Sequence, residues 1–377
     1  MAASRVSCEL SKQAEHCSRN LAPRTGAIIE GISRFLTEGN TSSSNLSQRV
    51  TAWPRNLLED AVGLRLCAGL HHLYLTSPTD SDLMKLFHLP ADRDTTQKEV
   101  DAIVGELLAR NEYRLEKWLD TPPQTNEVGR SANFVGAFSW LQKAFGLSRL
   151  ECFEIGTSGG LNLLMPHYHF TYENGSSGGT VKWGSSQSTV KIKPLMKAKE
   201  GEDLAANIPD HTDFEIVSAQ GCDLFPVNLC NAEEALRMKS FIWADHTWRL
   251  DLLDNAVQTL KANPPVIVKA DAAKWVEDHL GRSSDRNTCR VLMHSIVWQY
   301  LPEETKEHIT RVMHEAGKEA TPENPIAWVA LETNRKTFNH ELTVRFWAGE
   351  GSSDNIHEPI VLGEAQAHGR WMRWLRK

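Results

Sequence analysis

Up to about residue 148, apolar positions recur at helical spacing. In NLLEDAVGLRLCAGLHHLYLT (56–76), Leu57, Leu58, Val62, Leu66, Leu70 and Leu73 fall close to one face, the signature of an amphipathic helix. EVDAIVGELLARNEYRLEKWL (99–119) does the same, and NFVGAFSWLQKAFG (133–146) predicts a further helix ended by Gly146. EGNTSSSNLSQ (38–48) predicts a loop. The pattern changes at residue 150. Short apolar runs near 151–155, 214–218, 265–269, 290–295 and 326–332 read as strands. Amphipathic stretches near 159–165, 231–261, 271–280 and 303–317 read as the helices between them. Such alternation predicts a mainly parallel sheet with helices on both faces. Residues 340–348 and 359–363 read as closing strands. The segment 171–212, rich in Gly, Ser and Lys, reads as an insertion that can form a hairpin. The expected organisation is a helical N-terminal cap (1–148) on an α/β domain (149–377).

A length of 377 residues suits that division, and 41% hydrophobic residues supply a core. No apolar run approaches the roughly 20 residues of a bilayer span. The opening MAASRVSCELSKQAEHCS lacks the apolar centre of an export signal, so a cytoplasmic location is expected. The seven cysteines are scattered and form no C-x-x-C, which points to reduced thiols rather than disulfides or structural zinc. His167 and His169 in HYHF would share one side of a strand, but no third metal ligand accompanies them, and no metal is expected. A net charge of -7 argues against broad nucleic-acid binding. The basic, aromatic tail GRWMRWLRK reads first as a terminal element packing Trp371 and Trp374, with a nucleic-acid or membrane contact as the alternative. Trp243, Trp248, Trp275 and Trp298 read as core packing. The partner expected is a small molecule; the oligomeric state is left open.

The chemistry concentrates in FEIGTSGGLN (153–162). A dinucleotide fingerprint fails, because position 158 is Ser and 161 is Leu, and no Gly-Lys-Ser/Thr follows for a phosphate loop. Glu154, Gly156, Thr157, Ser158 and Gly160 instead look like the first loop of Rossmann-like methyltransferases. There, small residues let the backbone touch S-adenosylmethionine, and a strand-end carboxylate can hold its amine. A strand–helix turn without function would need similar glycines. Later strand ends carry further candidates. Asp223, two residues after Gly221, resembles the acid that grips the cofactor ribose; alone it reads as a turn residue. Asp271, followed by Ala272, opens a helix where an adenine-contacting acid is common; Asp is also a good N-cap. His294, beside Ser295, is the candidate general base, with a buried structural histidine as the alternative. Asp223 lies 67 residues after Gly156 (223 minus 156), against a usual gap of about 20; the segment 171–212, read as an insertion, accounts for most of the excess, and Asp223 loses this role if it is not one. Gly156-x-Ser158-x-Gly160 also matches a nucleophile elbow, with Asp354 and His368 as triad partners. The helical first 148 residues and the missing His-Gly-Gly loop weigh against that hydrolase.

QTNEVGRSA, the Glu-x-Gly-x-Ser-x-Gly-Leu-Asn loop, LRLCAGLHHLYL (64–75), GCDLFPVN, WADHTWRLDLLDNAV, HSIVWQYLP and HGRWMRW together resemble a mostly bacterial family, domain of unknown function 2332 (DUF2332). The resemblance runs along nearly the whole chain. It departs at Thr157, where members tend to have Ala, and in the variable 171–212 segment. It implies a methyltransferase-like fold and brings no reaction with it. Within QTNEVGRSA, Glu127 and Arg130 could pair at helical spacing or cap a helix. Alternatively the segment is a lid, with Asn126, Glu127 and Arg130 facing a carboxylate or phosphate substrate. The resulting expectation is an S-adenosylmethionine-dependent methyltransferase acting on a small anionic molecule. A non-catalytic ligand sensor on the same fold and a serine hydrolase using Ser158 are the alternatives.

Overall fold

In a computed structural model of the chain, residues 2–38, 44–77, 79–88, 96–175, 179–199, 201–203, 205–281, 287–337 and 339–376 are described. The chain divides into two units, Met1–Thr125 with Asn231–Asp251, and Asn126–Cys230 with Leu252–Lys377.

The first unit is helical: α1 (Ala2–Arg19), α2 (Pro23–Glu38), α3 (Asn45–Thr51), α4 (Val62–Thr76), α5 (Ser81–His88), α6 (Gln97–Glu116) and α8 (Ala232–Ser240). Leu10, Ile28, Ile32, Leu66, Leu70, Val104 and Leu107 meet in its core. Local capping sets the ends. Thr96 and Glu99 form a reciprocal capping box at the start of α6. Asp245 caps the first turn of α2, accepting from the N–H groups of Arg24 and Thr25 (both 2.9 Å) and from Thr25 Oγ1 (2.6 Å). Two expectations shift. The helix expected over 56–76 begins only at Val62, because Ala61 is left-handed and the N–H groups before it turn to Glu9 and Asn56. The loop expected over 38–48 gives way to helix at Asn45, where Ser44 accepts the Ser47 N–H; 39–43 lie outside the described residues.

The second unit is α/β. Its nine-stranded sheet has the order β5-β12-β11-β10-β9-β8-β1-β6-β7. Five strands run parallel: β7 (Val266–Lys269), β6 (Glu215–Asp223), β1 (Arg149–Ile155), β8 (Cys289–Ser295) and β9 (Ile326–Thr333). β10 (His340–Trp347), β11 (Ile356–Ala365) and β12 (Trp371–Trp374) continue as an antiparallel meander, and β5 (Leu195–Met196) closes the edge. β8 is buried at every residue and β1 at all but its first, as parallel strands covered on both faces must be. The expected mainly parallel α/β sheet is present. The tail is a strand with Trp374 buried. From the 171–212 segment come a hairpin and part of the main sheet. β2 (His169–Glu173) pairs with β3 (Thr180–Gly184) and β4 (Lys191–Ile192), while β5 joins β12.

Side-chain alternation sorts β1 and β8 onto two faces. Phe153, Ile155 and Leu292 pack under α10 (Ala272–Leu280) and α11 (Glu303–Lys318), with Trp275, Ile309, Met313 and Trp328. Glu154, Met293 and Ser295 point to the opposite side, that of α7 (Ser131–Phe145), which ends at left-handed Gly146 as expected. Two expected helices differ. Residues 162–167 form a 3₁₀ helix containing Pro166, which has no N–H to sustain an α-helix. The 231–261 stretch breaks into α8 and α9 (Thr247–Ala262).

Candidate functional site

Read outward from β1, the parallel strands run first to third on one side and fourth to fifth on the other. The direction reverses between β1 and β8. In open α/β sheets a ligand crevice forms at the carboxyl ends of the strands flanking such a reversal. Both loops there carry unfavourable backbone. Ser158, after β1, has φ 52°, and Ile296, after β8, also has φ 52°. For a β-branched residue that conformation is an outlier, costing about 1–3 kcal/mol.

The β1 loop is braced from several sides. The Ser158 N–H donates to Asp223 Oδ2 (2.9 Å), and the Phe225 N–H to Asp223 Oδ1 (2.8 Å). The Leu161 N–H donates to Asn126 Oδ1 (2.7 Å). Glu154 is 1% exposed and both its oxygens are engaged, by Thr157 Oγ1 (2.5 Å) and Asn162 Nδ2 (2.7 Å). Burial pushes its pKa up to about 7, against the pull of those two hydrogen bonds and of Arg130. Glu154 therefore holds the loop from beneath, with both oxygens turned to the protein. Gly156 has φ +67°, and a Cβ there would overlap Val297. Leu229 and Ile267 similarly fill the space beside Gly159 and Gly160. These glycines admit the protein's own side chains. The Ser158 hydroxyl is buried and makes no hydrogen bond with any described residue.

Elsewhere at this edge, Asp271 caps α10, its Oδ1 accepting from Ala273 (3.0 Å) and Lys274 (3.1 Å) while the residue stays exposed; Ala272 is packed in the core beneath. Arg130, 8% exposed, donates through Nε to the Ala367 carbonyl (2.6 Å), and its Nη1 lies 3.5 Å from Ser295. Glu127 lies 3.3 Å from His368 Nδ1. QTNEVGRSA is thus tied to HGRW near the C-terminus, and Asn126, Glu127 and Arg130 are all used by the protein itself. The hydrolase triad does not assemble: His368 takes Glu127, not Asp354, as its acid, and among the described residues no base hydrogen-bonds the Ser158 hydroxyl. His167 and His169 do not share a strand, since His167 ends the 3₁₀ helix.

His294 lies on the other face. It is 2% exposed, with Nδ1 2.7 Å from Glu332 Oε1 and Nε2 accepting the Trp328 indole N–H at 2.9 Å. Indole can only donate, so Nε2 is unprotonated and the hydrogen sits on Nδ1. Both nitrogens are occupied. Glu332 Oε1 also accepts the N–H groups of Val297 (3.1 Å) and Trp298 (3.2 Å), while its Oε2 is buried without a partner among the described residues. Glu332 is the sole charged residue of IAWVALET, a signal that could have singled it out, yet nothing in the strand pattern joins it to His294.

The pattern of a family described as an uncharacterized protein conserved in bacteria, DUF2332, matches residues 8–374. The chain belongs to the DUF2332 family. No curated protein and no solved structure matches it. For this DUF2332 chain, the site rests on its own geometry: strained strand-end loops with Asp223 and Asp271 on one side, and His294–Glu332 under α11 on the other. Among the described residues no helix is long and apolar enough to cross a membrane.

Proposed function

We propose that the chain is an S-adenosylmethionine-dependent methyltransferase of Rossmann-like type, acting on a small anionic molecule. The observation that carries the reading is the Asp223 carboxylate bonded to the backbone of strained Ser158 at the point where strand order reverses. A carboxylate fixed there, with lone pairs left, suits a ribose diol, and exposed Asp271 suits an adenine amine. When bound, the cofactor supplies an electrophilic methyl group. The chain's own share is positioning: Glu154, Thr157, Asn162 and Asn126 hold the loop, and Arg130 ties the start of α7 to the Ala367 carbonyl. His294 orients Glu332 rather than accepting a proton itself, because its Nε2 lone pair is taken.

The test is calorimetric titration of the purified chain with S-adenosylmethionine and S-adenosylhomocysteine, beside Asp223→Ala and Asp223→Asn. Micromolar binding that both variants weaken supports the reading. No binding by a folded protein removes it. The occupied ring of His294 favours a second reading, a ligand sensor on the same fold. It predicts cofactor binding without transfer of labelled methyl to any anionic acceptor offered.

A further inference from the structure

The N-terminal half of α11 stands over β8, β9 and β10 and leaves a cavity of about 560 Å³, within the roughly 300–1,000 Å³ of small-molecule sites. Its wall is aromatic. Trp298 and Trp328 meet edge to face at 5.4 Å, and His294 stacks on Trp298 at 5.1 Å. At one end sits Arg345, its guanidinium 4.6 Å from the Trp328 ring centre. Arg345 makes no hydrogen bond or ion pair with any described residue, and its Nε is buried without a partner. Burial works against its charge, and Glu358 offsets this only at a distance. Lys306, by contrast, is paired with Glu303 at 3.3 Å. A planar fork with unmet donors is matched by a carboxylate.

At the other end is Glu332, with an unmet acceptor in Oε2. Trp328 pairs with Arg345 across the sheet, and Glu332 with Glu341. Arg345 and Glu332 are therefore separated by four residues of strand, about 13 Å of rise before the side chains reach inward. A compact zwitterion cannot bridge them; an elongated molecule can.

We infer that this groove binds a small aromatic carboxylate bearing a hydroxyl at its far end, with the carboxylate on Arg345, the ring against Trp298 and Trp328, and the hydroxyl on Glu332. The inference stands apart from methyl transfer, because it is tested with no cofactor present and either can fail alone.

The test is a titration, followed by tryptophan fluorescence and calorimetry, with three probes: 4-hydroxyphenylacetate, phenylacetate and 2-(4-hydroxyphenyl)ethanol. The first should bind the wild-type chain most tightly. Arg345→Gln should weaken both acids about 10- to 100-fold, the range for losing a charge-assisted pair, and leave the alcohol unchanged. Glu332→Gln keeps an oxygen for His294, so the fold should survive; it should weaken both hydroxyl-bearing probes about tenfold and spare phenylacetate. If Arg345→Gln fails to fold, Arg345→Lys should fold and still weaken the acids, because an ammonium lacks the fork. A folded wild-type chain that binds none of the three probes overturns the inference, as does acid binding that the Arg345 variants leave intact.

Discussion

Replacing Glu154 by Gln removes a buried ionisable group and keeps its shape. Burial raises the Glu154 carboxyl from 4.5 to about 7, with Asp223 adding to the rise. Between those values the folded chain holds a proton that the unfolded chain has released, so stability falls as pH increases. The contribution is fully present below 4.5 and lost as pH rises through about 7. At about 1.4 kcal/mol per pH unit, the ceiling on that loss is about 3 kcal/mol. Gln cannot ionise. With the amide nitrogen in place of Oε2, Thr157 can turn its hydroxyl to accept, while the remaining oxygen still accepts from Asn162 Nδ2. Urea unfolding of both proteins between about pH 4.5 and pH 8 is the assay. The stability of Glu154→Gln relative to wild type should climb through that window, by up to about 3 kcal/mol, and level off above about pH 7. A difference that does not vary with pH would mean that Glu154 ionises in the folded chain as easily as in water.

Two further predictions follow from local geometry. Gly156→Ala places a Cβ against Val297 at φ +67°, and should lower stability by about 2–4 kcal/mol, read from the urea midpoint, because strain and overlap combine. In the helical unit, Asp245→Ala strips three hydrogen bonds from the first turn of α2. It should cost about 2–3 kcal/mol, with Asp245→Asn recovering part of the loss. A melting temperature unchanged in Asp245→Ala would show that the cap contributes little.

The sequence alone determined the α/β class, with its mainly parallel sheet, and most of the strands. β1, β6, β7, β8 and β9 fall at or close to the apolar runs that predicted them; for β1, β8 and β9 the reason is that parallel strands buried on both faces must be apolar nearly throughout, whereas β7 lies exposed at the sheet edge. It also determined the family, through motifs spread along the chain. Helix boundaries were less legible. Nothing local foretold that Glu9 would draw Leu57 out of α4, or that Asp245 would be committed to α2, 220 residues away at Thr25. For the candidate site, the order of strand ends was legible and the faces were not. Glu154 and His294 look like neighbours on adjacent strands, yet they sit one register step apart, and a single step turns a side chain to the other side of the sheet. Glu154, Arg130 and Ser295 therefore gather on the α7 side, and His294 joins Trp328 and Glu332 under α11. Which polar groups the protein uses up, as with Glu154 and His294, and which it leaves open, as with Arg345 and Glu332 Oε2, depends on partners brought in from distant strands. Only the tertiary structure decides that.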